Sequence, residues 1–307
     1  MVQTVVKKPT GSRVATASLI GTAIEFYDFY IYGTAAALVF GTAFFPEMDR
    51  LAGTLAAFST FAVAFVSRPL GSALFGHWGD RIGRKSMLVV SLLLMGLSTV
   101  AIGLLPGYAA IGVAAPILLV LLRFLQGIGL GGEWGGAALL ATEHAPSGRR
   151  GLYAMFPQLG PAVGFIAANG LFLVLGWMFT DEQFKGWGWR LPFVASLVLV
   201  VIGLYVRMKI SETPVFQAVM EQQRISRVPF LGLMRHQWQR VLLGAGAMVI
   251  AYTLFYTATT YCLNYGTATL GIPRTTMLAL TLVGVVFMGA GTVASALVSD
   301  RIGRRRT

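Results

Sequence analysis

Gly71-Ser-Ala-Leu-Phe-Gly76-His-Trp-Gly-Asp80-Arg81-Ile-Gly83-Arg84-Lys85 returns 220 residues later as Gly291-Thr-Val-Ala-Ser-Ala296-Leu-Val-Ser-Asp300-Arg301-Ile-Gly303-Arg304-Arg305. In each copy an apolar run gives way to Asp-Arg-Ile-Gly-Arg and one further base. The glycine lets the backbone turn tightly between two helices. Each copy follows the second apolar run of its stretch of chain, so the repeat divides the sequence into two related halves. Duplicated sets of apolar helices are a signature of membrane transporters.

Composition points the same way. Charged residues make up 12% of the 307 positions, against about 25% in a soluble domain. Too few charges remain to cover a water-facing surface, and the mean hydropathy of +0.71 makes lipid the solvent for much of the chain. Apolar runs bounded by charges and Pro/Gly turns predict eight helices, at 14–43, 53–76, 86–105, 112–141, 152–178, 189–208, 241–265 and 276–298. Each approaches the roughly 20 residues that one span requires. The stretch 209–240 is the one long polar segment, broken by Pro214 and Pro229. It reads as a cytoplasmic linker between an N-terminal six-helix bundle (1–208) and the first two helices of a second bundle (241–307).

A net charge of +12 suits nucleic acid only if the bases gather on a soluble face. They occur instead as bursts in alternate gaps between apolar runs. Of 24 Lys and Arg, the other gaps hold Arg50, Lys185 and Arg274, and spans or their edges hold Arg68, Arg123 and Arg190. The remaining 18 share one side, which predicts a cytoplasmic N-terminus and no nucleic-acid partner. Lys7, Lys8 and Arg13 precede an apolar stretch that runs to Phe45 and contains Glu25 and Asp28, so the reading is an uncleaved first span.

The repeated loops resemble the signature between helices 2 and 3, and 8 and 9, of the major facilitator superfamily. Arg123-Phe-Leu-Gln126-Gly127-Ile-Gly129 is similar to that superfamily's fourth-helix motif. Further matches are Glu25-Phe-Tyr-Asp28-Phe-Tyr30, Arg68-Pro69-Leu-Gly71, Gly131-Gly132-Glu133-Trp134-Gly135-Gly136, Trp187-Gly-Trp189-Arg190-Leu-Pro192-Phe193 and Glu212-Thr-Pro214-x-Phe216. Together they resemble the metabolite:proton symporter branch, and Asp181-Glu182-Gln183-Phe184 is most similar to shikimate transporters. The resemblance implies an all-α, polytopic protein of the bacterial inner membrane with the major facilitator fold and twelve spans, eight of them present here. It also implies proton-coupled uptake of a small organic acid, shikimate or a dicarboxylate, by alternating access, with a small organic anion and a proton as partners beside the lipid bilayer. The competing reading is a non-transporting remnant or a membrane interaction module.

Ionisable groups inside a bilayer are costly and mark function by default. Glu25 and Asp28 lie one turn apart on one face of the first helix, and about 11 residues of rise put Glu25 about 16 Å deep. Arg123 lies equally far from the outer end of its helix, so all three are expected near one midplane. Two carboxylates this close disfavour ionising together, which suits one of them to carry a proton. Arg123 offers a fork of donors to a substrate carboxylate; the alternative is a static Glu25–Arg123 pair. Arg68 and Glu133 read as an inner gate pair, or Arg68 as a residue snorkelling to the headgroups. Arg190 reads as an entry-path residue, or as an interfacial anchor with Trp187 and Trp189.

Tyr30 and Gln126 complete the expected substrate and proton set, with Tyr27, Tyr32, Tyr252, Tyr256, Tyr261, Gln158 and Asn169 as cavity candidates. Gly76, Asp80, Arg81, Gly83 and Arg84, with Asp300, Arg301 and Arg304, form the expected conformational gate. In it an aspartate pairs with an arginine or a helix N-terminus in one state and releases in the other.

Other chemistry is excluded. Gly127-x-Gly129-x-x-Gly132 has no preceding strand and lies within a span, so it reads as close helix packing rather than a dinucleotide fingerprint. One cysteine (Cys262) and three dispersed histidines build neither a disulfide nor a metal site. No acid, base and nucleophile cluster appears, so no cofactor and no enzyme activity are expected.

Overall fold

The computed structural model describes residues 11–82, 84–131, 141–142, 145–146, 148–209, 229–304 and 306–307. Eight long helices occur among them, in the predicted order: α1 (Gly11–Ala35), α2 (Arg50–Ile82), α3 (Arg84–Leu104), α4 (Ala114–Leu130), α5 (Arg150–Met178), α6 (Leu191–Lys209), α7 (Pro229–Tyr256) and α8 (Arg274–Ile302). Five stretches among the described residues are long and apolar enough to cross a membrane, in α2, α5, α6, α7 and α8, while α3 and α4 contribute shorter apolar segments. The start of α7 differs most from expectation. Pro229, a residue suited to a first helical turn, starts α7 inside the segment read as linker, and the helix breaks at Gln237 (φ −135°, ψ 19°). The first half of that linker, with Glu212 and Pro214, lies outside the described residues.

Sequence alone gives no sign of the way α1 and α7 end. Each runs into a π-turn, at Ala36–Phe40 and Thr257–Tyr261, before a last stretch of α-helix, at Gly41–Phe44 and Cys262–Ala268. The two π-turns stand at nearly the repeat offset, so the duplication extends to a backbone irregularity of a kind that concentrates at functional sites. The stretch after the second π-turn reaches the first, because Asn264 Nδ2 donates to the Ala37 carbonyl at 2.8 Å.

Small residues set the packing, as expected where lipid supplies no hydrophobic drive between helices. Gly127 and Gly129 point to opposite neighbours of α4. A Cβ on Gly127 would stand 2.6 Å from the Ala64 carbonyl of α2, and one on Gly129 would stand 2.9 Å from the Ser91 carbonyl of α3. Gly164 likewise lets α5 lie against α1, 2.6 Å separating its notional Cβ from the Ala23 carbonyl. The interior of the first six helices is rich in aromatic rings yet also encloses Glu25, Asp28, Arg123, Gln126 and Asn169, while Val66, Leu243 and Phe287 are exposed. Polar groups inside and apolar ones outside is the polarity of a bundle solvated by lipid.

Candidate functional site

Helix α1 supplies the acidic side of the site. Asp28 is 1% exposed and Glu25, one turn before it, 3%. From α4, fully buried Arg123 reaches the same level without meeting Asp28 directly. Its Nη1 donates to Gln126 Oε1 at 2.5 Å. Gln126 Nε2 donates to Thr99 Oγ1 at 2.8 Å and lies 3.5 Å from the Asp28 backbone carbonyl. The Thr99 hydroxyl shares its hydrogen between Asp28 Oδ2 (3.2 Å) and the Met95 carbonyl (2.9 Å). A relay of polar side chains, Asp28–Thr99–Gln126–Arg123, therefore crosses the bundle from α1 to α4 by way of α3. Asp28 Oδ1 has no hydrogen-bond partner among the described residues, and Ser196 of α6 lies beside the same carboxylate.

The Arg123 guanidinium sits in a box of rings, with its central carbon 4.0 Å from Tyr32, 4.5 Å from Phe29 and 4.9 Å from Phe61. A desolvated cation over a ring gains about 2 kcal/mol. Three faces thus offset much of the cost of burying this charge. Tyr32 is held in turn by Thr60, 2.6 Å from its hydroxyl.

Arg68 of α2 forms the second cationic locus, and it does not snorkel to the headgroups. Its guanidinium lies 4.6 Å from the Phe29 ring and 4.9 Å from Phe65. Its Nε and Nη2, like those of Arg123, are buried and have no hydrogen-bond partner among the described residues, and the same holds for the hydroxyl of Tyr256 on α7. The Tyr256 ring packs on the same two phenylalanines, 6.0 Å from Phe29 and 5.6 Å from Phe65. Tyr30 stands where α1, α5 and α7 meet, against Phe165 (5.1 Å) and Phe255 (5.6 Å).

Several expected site residues have other employment. Arg190 donates from Nη1 to the carbonyls of Gly103 (2.9 Å) and Leu105 (2.5 Å), capping the end of α3, and lies over Trp189 at 4.5 Å. These contacts tie the start of α6 to the end of α3. The anchor reading splits, since Trp187 is exposed but Trp189 is buried among Phe40, Phe44 and Phe193. Tyr27 donates to the Pro192 carbonyl at 2.9 Å and fastens α1 to α6. Asn169 accepts from Thr34 at 2.7 Å, whereas Gln158 is exposed. Glu133 and Gly83 lie outside the described residues, as do the side chains of Asp80, Arg81 and Arg84. Gly76 is helical and faces open space.

The second gate copy is well defined. Asp300 Oδ1 accepts the Gly151 N–H at 2.7 Å and Oδ2 the Leu152 N–H at 2.9 Å, capping α5 from the last turn of α8. Arg304 pairs with Asp300 at 3.4 Å, Arg301 is exposed, and Gly303 at φ 89° ends the helix in a conformation that favours glycine.

Thr99 and the ring box were not foreseen from sequence. A hydroxyl residue inside the apolar run of α3 was the available signal for Thr99. The rings gave none, since phenylalanine is ordinary in any span.

Comparison with known proteins follows the same line. A family profile described as "Sugar (and other) transporter" matches residues 14–228. The chain is 54% identical over 300 residues to an inner membrane metabolite transport protein of Escherichia coli K12, covering 96% of this chain and 68% of that protein. It is 43% identical to the shikimate transporter of the same organism over 305 residues, covering 96% and 68%. A solved structure of the Escherichia coli xylose transporter, in a partially occluded inward-open conformation, superposes with a TM-score of 0.71 at 18% identity, covering 96% of this chain and 74% of that one.

Proposed function

Because the chain belongs to the sugar (and other) transporters of the major facilitator superfamily, we propose that it carries a small organic acid inward together with a proton, by alternating access. Its relatives are transporters rather than enzymes. The observation that carries the proposal is the buried relay from Asp28 through Thr99 and Gln126 to Arg123. With Asp28 ionised, Thr99 donates to it, which orients Gln126 to hold Arg123 in its ring box. Protonation of Asp28 on Oδ2 turns that acceptor into an O–H donor. Thr99 then turns wholly to the Met95 carbonyl, Gln126 loses its fixed orientation, and the hold on Arg123 loosens. A proton is thereby translated into a change of packing between α1 and α4.

The substrate carboxylate is assigned to Arg68 rather than Arg123. Both arginines keep two buried donors without partners among the described residues. Arg68, however, has the unpartnered hydroxyl of Tyr256 on α7 packed over the same two rings, whereas Arg123 is already held by Gln126. A carboxylate accepts such a converging set well. It also ties the first half of the chain to the second, which is what coupling substrate to conformation requires. Glu25 lies within electrostatic reach of Tyr252 on α7 and completes the polar rim.

In this reading residues 1–208 form one bundle and 241–307 open the second, joined by 209–240. The N-terminus is cytoplasmic and the membrane is the bacterial inner membrane, as the name of the metabolite transport relative suggests. The Asp300 cap on α5 then closes the cytoplasmic side. Membrane potential contributes about 2.3 kcal/mol per net charge per 100 mV. Shikimate is the first substrate to test, with dicarboxylates next.

The test is uptake of labelled shikimate and dicarboxylates into cells expressing the chain, with and without a protonophore. Concentrative uptake abolished by the protonophore is the expected result, and insensitivity to it overturns proton coupling. The second reading, a membrane interaction module, draws on an apolar groove of about 550 Å³ between α7 and α8, lined by Leu254, Phe255, Met277 and Val285 among others. It predicts no uptake and no binding of any organic acid.

A further inference from the structure

The two ends of α8 are each held against α5, and the chemistry at the two ends is different. The cytoplasmic-side end uses the Asp300 cap already described. At the other end Arg274, the first residue of α8, extends along the last turn of α5 and past it. Its Nη1 lies 2.9 Å from Asp181 Oδ1. Its guanidinium carbon stands 3.8 Å over the Phe184 ring. Gly176 leaves the room for this: a Cβ there would lie 3.0 Å from Thr275 Cγ2 and 3.6 Å from Arg274 Nε.

The receptor for Arg274 is rigid without it. Asp181 opens the short helix Asp181–Gly186, which is fixed by a complete capping box between Thr180 and Gln183. Phe184 is fully buried and packs on Phe172 of α5 at 5.9 Å. Arg274, by contrast, belongs to the second half of the repeat. Its side chain is 11% exposed against 73% for Asp181, and its Nε has no hydrogen-bond partner among the described residues. A largely buried cation is thus held by one exposed carboxylate and one ring face. Removing either partner leaves a charge that prefers water, so the contact is poised to open as a unit.

We propose that Arg274, Asp181 and Phe184 form the outer latch of the transport cycle: closed, it seals α8 against α5 on the side opposite Asp300, and its release permits outward opening. The proposal rests on the alternating-access reading above. A helix clamped at both ends by polar contacts of unlike kind can release one end while keeping the other. An ion pair at the outer end answers to a passing organic anion, which competes with Asp181 for the guanidinium. The backbone cap at the inner end does not. Arg274 and Asp181 are therefore gating residues, distinct from the relay and from Arg68.

The test measures distances directly and needs no substrate. In the Cys262→Ser background of the full chain in lipid nanodiscs, spin labels go on Trp177→Cys and Leu270→Cys at the outer end. A second pair goes on Arg150→Cys and Ile302→Cys at the inner end. All four positions are exposed. Arg274→Gln and Asp181→Asn are each expected to shift the outer distance longer by about 5 Å, one helical turn of sliding, with the inner distance unchanged. Outer distances that superimpose on the parent in either variant overturn the latch. So does lengthening of the inner pair alongside, which signals lost packing instead. Uptake that is proton-coupled while the distances stay fixed overturns the latch alone and leaves the transport reading standing.

Discussion

Asp300 accepts the backbone N–H of Gly151 at 2.7 Å across 149 residues of sequence, so the last turn of α8, in one repeat half, caps the first turn of α5 in the other. A carboxylate at a helix N-terminus satisfies otherwise orphaned donors and favours the positive end of the helix dipole. Replacing Asp300 with Ala is expected to cost about 1 kcal/mol of closure. Accessibility of a cysteine at Leu152 to a maleimide reagent should rise several-fold, at a factor of ten per 1.4 kcal/mol. Unchanged labelling would show that the cap does not hold the two helices together.

Gly151 offers a steric version of the same experiment. A Cβ at that position would stand 2.7 Å from Asp300 Oδ1 and 3.0 Å from the Ala296 carbonyl. Gly151→Ala should therefore pry the two helices apart with the carboxylate still present. Its labelling pattern should match that of Asp300→Ala, and a parent-like pattern would deny the close approach.

Asp28→Asn keeps the volume and the acceptor for Thr99 but cannot lose a proton. Concentrative uptake should vanish while facilitated exchange of preloaded substrate survives, because the relay is frozen in one arrangement. Proton-driven accumulation by this variant at the parent level would remove Asp28 from coupling.

Arg123→Ala leaves the ring box of Tyr32, Phe29 and Phe61 empty and strips Gln126 of its donor. Losing a buried hydrogen bond from a charged donor costs about 1.5–3 kcal/mol, so the thermal midpoint in detergent should fall by several degrees. Arg68→Ala touches fewer partners. It should move stability little and raise the apparent KM for organic acids at least ten-fold, which a substrate-titrated uptake assay reads. The reverse ranking would exchange the roles given to the two arginines.

Arg190→Ala uncaps the two carbonyls at the end of α3. A loss of about 1–2 kcal/mol in stability is expected, with KM unaltered. A changed KM would support the entry-path role that its position near the outer end of α6 first suggested.

The sequence by itself determined which segments are helices and how they are ordered, because apolar length and alternating basic gaps are local quantities, legible one segment at a time. It also exposed the duplication through Asp80-Arg81-Ile-Gly83 and Asp300-Arg301-Ile-Gly303, and it singled out Glu25, Asp28, Arg68 and Arg123 because a charge within a span stands out against its neighbours. It could not assign partners. Arg123 and Arg68 look alike in sequence, yet one is enclosed by three rings and bonds Gln126 while the other shares two phenylalanine rings with Tyr256 of α7. Arg190 reads equally as an entry residue or an interfacial anchor, and neither reading gives its reach to Gly103 and Leu105. Thr99 and the Arg274–Asp181 contact carry no sequence signal of comparable strength, since one is an ordinary hydroxyl and the other an ordinary pair of loop charges. Only tertiary structure decides which donors find acceptors, because in a bundle with little water each polar group takes the partner that packing brings within about 3 Å.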